Sequence, residues 1–332
     1  NSIRGGNVTI NENGYLNLEL ADAFRTTLTQ INLNSGIGWI RTKSISPTVI
    51  QSTNLSQFKV NSVVASYPTN IRLDNYYFGG TVIRSNVSST TPVTLYDRVN
   101  LGGTSVSLTV DAIHSGNSIT NMNNKTSSFR LRKGFMMTIA DDEAGTGKSK
   151  NYIASEEDLI VNELPTNLND NISFVRVIPW NWVSKKGIGS NSLISGLDNT
   201  WFYRWSNSGL STIDVENPPM AWGAGGADDD TDITLYRQKY KTTHVMGFNE
   251  PDDCNAQSGQ FRNLCDEDVA VGYYRNLMKT GLRLVSPAGR EEAPSGWLQN
   301  FYDKATAQDI RIDVIAVHWY DWGSNPAVNT NP

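Results

Sequence analysis

The sequence predicts a multidomain chain in which two β-rich units precede a unit that mixes strands and helices. Three observations predict it. Residues 1–183 alternate apolar and polar side chains, broken by Gly, Asn and Pro, with no sustained helical period. Residues 91–183 carry a weak internal repeat of about 45 residues. From residue 184 on, short apolar runs take turns with helix-period segments, which is the pattern of βαβ units and a parallel sheet. The length of 332 residues agrees, because single cores rarely grow beyond about 250–300 residues.

In the first unit, residues 1–90, "TQINLNSGIGWIRTKSI" and "TNIRLDNYYFGGTVI" read as strands and turns. The stretch "SYPTNIRLDNYYF" resembles the last strand of the jelly-roll modules that bind carbohydrate. That resemblance implies a β-sandwich. Ninety residues is short for one, so its first strands are expected upstream of Asn1, and this unit is read as a sandwich fragment.

The second unit, residues 91–183, is organised by its repeat. "NNKTSSFRLRKGF" and "LNDNISFVRVIPW" both run from a polar loop through Ser-Phe into an alternating strand. In the first copy Asn123, Asn124, Ser127 and Ser128 offer amide and hydroxyl oxygens within six residues. Ca²⁺, a hard cation, takes oxygen ligands of this kind. In the second copy Asn169 and Asp170 offer oxygens, at a one-residue shift. Leu168, however, stands where an Asn or Asp would align, and Ile172 where a Ser or Thr would. The plain alternative is a turn rich in Asn and Ser that holds no ion. The order Asn-Asn, two free positions, Ser-Ser resembles the calcium motif of microbial βγ-crystallin domains. The spacing from Tyr96 to Gly103 is similar to their aromatic corner. The resemblance covers about 90 residues and implies a two-Greek-key domain with calcium as a structural cofactor.

In the third unit, residues 184–332, strands are expected at "TWFYRWS", "PPMAWGAGGA", "HVMGFNEP", "LRLVSPAG" and "IDVIAVHWYDW". Helices are expected at "DITLYRQKYKT", "DEDVAVGYYRNLMKTG" and "SGWLQNFYDKATAQ". Asp266 or Asp268 would cap the second helix, and Gly281 follows it.

Glu250 directly follows the apolar run "VMGF". In barrel enzymes catalytic groups sit at the C-terminal ends of strands, where the βα loops converge. Glycoside hydrolysis usually needs two carboxyl groups, one to protonate the leaving oxygen and one to attack or to activate water. Glu250 is the candidate acid/base. Asn249 is placed to bind a sugar 2-hydroxyl, and Pro251 would stiffen the turn. A solvated loop carboxylate or a helix cap is the plain alternative for Glu250. Eight of the nine Trp lie between residues 180 and 322. Tyr203, Trp205, Trp222, Trp319 and Tyr320 offer flat rings to sugar faces. Others, by strand alternation, would fill a core. His318 is read either as orienting Glu250 or a hydroxyl, or as a buried, satisfied His. Asp228–Asp230 and Glu291–Glu292 add carboxylates after strands, with exposed loop charge as the plain alternative.

The series "WFYRWS", "MGFNEPD", "LVSPAG" and "IAVHWYDW" resembles, in that order, the glycoside hydrolase catalytic-core family of clan A. That family contains fungal and bacterial endo-β-1,3-glucanases. The resemblance covers residues 185–322 and implies the front part of a (β/α)8 TIM barrel. It also implies a polysaccharide substrate and retaining hydrolysis with Glu250 as acid/base. The family's nucleophile is a Glu on strand seven, beyond the His-Trp-Tyr strand, and is expected outside this chain. Glu291 and Glu292 follow the wrong strand for that role. The expected function is a secreted polysaccharide-degrading hydrolase. The alternatives are a non-catalytic carbohydrate-binding or adhesive calcium-binding protein, or part of a larger enzyme such as an agarase.

The net charge of −5 and the lack of a basic block argue against a nucleic-acid partner. No apolar run approaches the roughly 18 residues of a membrane span. Cys254 and Cys265 lie in one polar loop, at a spacing that does not suit a zinc site. A local disulfide is the favoured reading over two unrelated thiols, and with it a secreted or cell-surface location.

Overall fold

The computed structural model describes residues 6–18, 30–77, 79–190, 196–290 and 293–319. The first unit holds β1 (Asn7–Ile10), β2 (Tyr15–Leu18), β3 (Gln30–Leu33), β4 (Trp39–Thr42), α1 (Pro47–Val49), β5 (Phe58–Val60), β6 (Val63–Val64), β7 (Ile71–Tyr76) and β8 (Gly80–Ser85). They form two four-stranded sheets, β1-β3-β5-β6 and β2-β4-β8-β7. Ile10, Ile31, Leu33 and Phe58 from one sheet meet Leu18, Ile40, Leu73 and Ile83 from the other in a single core.

Two facing sheets agree with a sandwich. The pairing, however, differs from a jelly roll, which is antiparallel. Here β1–β3, β3–β5 and β2–β4 are parallel. The turns explain this. From β1 to β5 successive strands alternate between the two sheets, so each pairs with the one after next and in the same direction. The turn at residues 34–38 stacks on the turn at 11–14, with Ile37 and Gly38 N–H both donating to Glu12 O. Gly38 is needed there, since a Cβ would lie 2.6 Å from Asn11 O. The amide of Asn34 also donates to Asn11 Oδ1, at 3.0 Å.

The second unit holds β9 (Val93–Arg98), β10 (Gly102–Leu108), β11 (Ile113–Ser115), β12 (Ser128–Leu131), β13 (Phe135–Ala140), β14 (Ser149–Ala154), β15 (Leu159–Val161) and β16 (Phe174–Pro179). Each repeat copy supplies four strands. The sheets are β10-β9-β12-β15 and β11-β16-β13-β14, all antiparallel. Each copy therefore lends its third strand to the other copy's sheet. Leu95, Phe129, Leu131, Met137, Ile139 and Val177 are among the buried residues between the sheets.

The third unit holds β17 (Gly187–Gly189), β18 (Trp201–Tyr203), α2 (Asp230–Gln238), β19 (His244–Met246), α3 (Glu267–Leu277), β20 (Arg283–Val285) and α4 (Trp297–Ala307). Asp229 caps α2 and Asp266 caps α3, each accepting two backbone N–H bonds. The expected helix over 232–242 thus starts earlier and stops at Gln238. Every pairing is parallel. β17 pairs β18, and β19 pairs β20. Single bridges add Glu216 beside Trp201, Met220 beside Met246 and Val314 beside Val285. The expected strands at "PPMAWGAGGA" and "IDVIAVHWYDW" are therefore reduced to bridges among the described residues. Helices α2, α3 and α4 bury Ile233, Tyr236, Val271, Tyr274, Leu298 and Phe301 against Val245, Phe248 and Leu284. Among the described residues no helix is long and apolar enough to cross a membrane.

The three units are bonded to one another. Met136 and Ile178 of the second belong to the third unit's core. Trp39 of the first meets Trp182 edge-on, with ring centroids 5.5 Å apart. Asp74 on β7 is fully buried and accepts from Arg72 at 2.8 Å and from Arg84 at 2.5 Å. Lys241 of the third unit lies 4.0 Å from the same carboxylate and donates to Leu73 O. Arg84 in turn donates to Gly134 O of the second unit, at 2.9 Å. Burial alone would raise the Asp74 pKa, but the three cations outweigh it and hold the carboxyl at about 2.

Candidate active site

The loop after β19 is hooked to its neighbours on both sides. Asn249 N–H donates to Trp222 O at 3.0 Å, and Glu250 N–H donates to Ala288 O at 2.7 Å. These bonds extend the parallel ladder just past the strand and hold Glu250 with φ at +46°. A non-glycine residue in that region is strained unless its surroundings fix it, and such residues cluster at functional sites. Glu250 is 7% exposed. Its Oε1 lies 2.9 Å from His318 Nδ1, and its Oε2 lies 3.4 Å from Arg290 Nε. Arg290 also pairs with Asp253. The solvated-loop and helix-cap alternatives for Glu250 do not fit this setting.

His318 is thus brought to Glu250, as the orienting role requires. It also lines a cavity of about 730 Å³ together with Trp201, Tyr203, Met220, His244 and Arg283. Trp201 and Tyr203 face this cavity, while Phe202 between them is buried on the other side, as strand alternation demands. Glu216 lines it too. Burial alone would raise the Glu216 pKa, but His244 and bonds from Thr243 hold the carboxyl below its ordinary range.

Trp205 and Trp222 line a second, adjoining groove of about 540 Å³, with Met220 common to both. Phe261, 52% exposed, stands 6.1 Å from Trp222 between ring centroids. Trp205 is 47% exposed and packs edge-on to Tyr203. Asn249 is buried, and its amide donates to Gln257 Oε1 at 3.2 Å. Trp319 is exposed. Tyr320, Trp322, Glu291 and Glu292 lie outside the described residues.

Cys254 and Cys265 form the expected disulfide, with Cα atoms 5.2 Å apart. It closes the loop that carries Phe261 and Gln257. Asp228 pairs with Arg262, and Asp230 with Lys279 at 3.2 Å. With Asp229 capping a helix, this acidic run is explained by loop and helix structure. Not every Trp serves the grooves. Trp182 is buried between units, and Trp297 stacks on Phe301 while donating to Cys265 O.

Sequence reasoning missed Arg290, Gln257 and Phe261. Arg290 stands directly before the flagged "EE" pair, so the loop was noticed but its cation was not.

In the second unit the two polar loops face each other. Asn124 N–H donates to Ile172 O, and Asp170 N–H donates to Thr126 O. Ser127 Oγ donates to Asp170 Oδ1 at 2.8 Å, and Ser173 Oγ donates to Asn124 Oδ1 at 3.0 Å. Asn124 and Asp170 share a left-handed backbone, with φ of 54° and 55°. The loops therefore match with Asn123 opposite Asn169, Asn124 opposite Asp170 and Ser127 opposite Ser173. The second copy is shifted by one residue, so Leu168 and Ile172 are core residues, equivalent to Met122 and Thr126. Ser173 is the ligand-type residue that the sequence alignment hid. Ser128 points elsewhere: its Oγ donates to Arg98 O at 2.5 Å and accepts from Leu101 N–H at 3.0 Å. Oδ1 of Asn123 and Oδ1 of Asn169 are both buried and both lack a hydrogen-bond partner. A buried amide oxygen without a partner is costly. Two at equivalent positions fit an oxygen-seeking cation.

Comparison with known proteins places the Glu250 loop in a family match. Residues 178–330 match the glycosyl hydrolase catalytic core. Glu250, His318 and both aromatic grooves fall within this catalytic-core segment. Among solved structures, a point variant of an Amycolatopsis mediterranei GH128 endo-β-1,3-glucanase with laminarihexaose is 26% identical, at a TM-score of 0.37. That match covers 44% of this chain and 61% of the glucanase. A βγ-crystallin domain from Flavobacterium johnsoniae is 30% identical at a TM-score of 0.24, covering 26% of this chain and 94% of that one. A double variant of a Clostridium beijerinckii βγ-crystallin domain is 24% identical at a TM-score of 0.23, covering 26% and 97%. No curated protein sequence matches the chain.

Proposed function

We propose that this chain supplies the acid/base, Glu250, of an endo-acting retaining glycoside hydrolase on β-1,3-glucan. One observation carries this reading. A buried carboxyl at the end of a parallel strand is bonded to His318, which lines a groove with Trp201 and Tyr203, and Trp205, Trp222 and Phe261 line the adjoining one. Glu250 protonates the glycosidic oxygen as its bond to the anomeric carbon breaks and the partner carboxylate bonds to that carbon, then takes a proton from the water that displaces the carboxylate. His318 and Arg290 keep its carboxyl aimed. The partner carboxylate of a retaining enzyme lies roughly 5–5.5 Å from the acid/base, and the family resemblance implies that it stands on a later strand. The parallel strands and flanking helices support reading this unit as the front of a (β/α)8 barrel. The choice of β-1,3-glucan rests on the motif series. In the full-length protein, Glu250→Gln should lower the release of reducing ends from laminarin about 10²–10⁴-fold. Unchanged turnover would overturn the assignment. Laminarin binding by the parent protein without any reducing ends would favour a binding protein instead.

We also propose calcium in the second unit, on the strength of the two orphaned amide oxygens. Asn123 and Asn124 with Ser173 would hold one ion, and Asn169 and Asp170 with Ser127 the other. Bound there, the ions would supply positive charge that links the two repeat copies. Asp170 is the one carboxylate among these residues, so its site should bind more tightly. Calorimetry with Ca²⁺ on the whole chain should show two unequal sites, and Asn169→Ala should weaken the tighter one. No heat would refute the proposal. The formed disulfide supports export from the cell.

A further inference from the structure

A narrow cleft of about 210 Å³ lies where the three units meet. Arg72 enters it from β7 of the first unit and Arg176 from β16 of the second. Arg237, Lys239 and Lys241 enter from the end of α2 and the loop after it. Asp111 is the one acid among the lining residues. Five cations in so small a space stand out in a chain whose net charge is −5.

Carboxylates account for only part of this charge. Asp74 serves Arg72 and lies 4.0 Å from Lys241. Among the described residues, Arg176, Arg237 and Lys239 have no carboxylate within 4.0 Å. Their hydrogen bonds go to backbone carbonyls instead. Arg176 donates to Thr280 O and Arg237 O, Arg237 to Lys279 O, and Lys239 to Gly209 O. Carbonyls satisfy N–H groups but do not neutralise charge. Arg176 is 6% exposed, and its Nε is buried with no acceptor. A buried guanidinium with an idle N–H and no carboxylate in contact is expensive, and Asp111 acts on Arg176 only through space. Burial pushes the Arg176 guanidinium down to about 10 and the Lys241 ammonium down to about 8.

We infer that this cleft is a binding site for a tetrahedral oxyanion, either phosphate or sulfate. Such an anion suits a cleft lined by five cationic side chains and a single acid, and it fits the volume. Its third-unit residues precede β19, whereas Glu250 follows that strand, and its lining comes from all three units. Binding would therefore tie the units together rather than take part in glycoside cleavage. The anion has two possible sources: a free inorganic ion, or a sulfate ester carried on a sugar.

The test is titration calorimetry on the whole chain in low salt at pH 7, with inorganic phosphate, with sulfate and with galactose 6-sulfate. Phosphate and sulfate should each fill one saturable site. In Lys239→Gln and in Arg237→Gln the dissociation constant should rise about tenfold or more, the effect of losing one charge-assisted bond. Neither residue belongs to the Glu250 site. If one variant fails to fold, the other carries the test. Binding of galactose 6-sulfate as well would assign the site to sulfated sugars, and binding of the inorganic ions alone would assign it to a free anion. Absence of saturable heat with both ions overturns the inference, and so does an affinity unchanged in the variants.

Discussion

Replacing Asp74 by Asn removes one negative charge from among Arg72, Arg84 and Lys241 and keeps the side-chain shape. An unfolded aspartate titrates at about 3.9, whereas burial opposed by these three cations leaves Asp74 at about 2. The difference corresponds to about 2–3 kcal/mol of stability at pH 7. Because the folded pKa lies below the unfolded one, this contribution is fully present above about pH 4 and is lost as the pH falls towards 2. Near pH 3 about half should remain. Urea unfolding of parent and Asp74→Asn at pH 7, 5 and 3 measures it. The gap should be about 2–3 kcal/mol at the two higher values and about half that at pH 3. Asp74→Ala should cost more, about 3–5 kcal/mol, because it also removes the groups that accept from the arginines. A gap that fails to narrow between pH 5 and 3 would refute the electrostatic account and leave packing as the cause.

Other outcomes follow from positions already described. His318→Gln should lower kcat for laminarin about tenfold and leave KM unchanged, because His318 acts by orienting Glu250. Steady-state kinetics decides it, and a change in KM alone would count against that role. Gly103→Ala should destabilise the second unit by about 1–3 kcal/mol. Gly103 has φ at +78°, and a Cβ there would collide with Asp97 Oδ1, which accepts from Thr104 N–H. Thermal unfolding would show the loss.

What could be read from the sequence was whatever a local rule controls. Glu250 was legible because an apolar run ended at it, and the disulfide because both cysteines share one loop. Helices α2, α3 and α4 were legible as segments, and the cap of α3 from Asp266, whereas Asp229, the cap of α2, reads in the sequence only as one of a run of loop carboxylates. What stayed hidden depends on which segments meet. Alternation marks a strand but not its partner, so the parallel rungs of the first unit could not be told from a jelly roll. A one-residue shift in the second repeat copy can be raised from the sequence, but it is decided only by the backbone conformation that Asn124 and Asp170 share. In sequence, Ser-Phe dominates the alignment and sets it one residue off. Arg290, Gln257 and Phe261 gain their roles from loops that converge on the NEP turn, and no periodicity points to them.

The lent strands of the second unit also bear on how the chain is made. Ile113 of the first copy pairs with Arg176 of the second, and Phe129 pairs with Val161. As the chain leaves the ribosome, neither copy can close until the other has emerged. The early strands must wait with open edges, which is when a chain is most exposed to wrong partners. The same interlock leaves no place to sever the unit into two self-sufficient halves. Halves made separately, divided at Lys133, would each lack an edge that only the other can supply. Mixed together, they have a built-in reason to find each other.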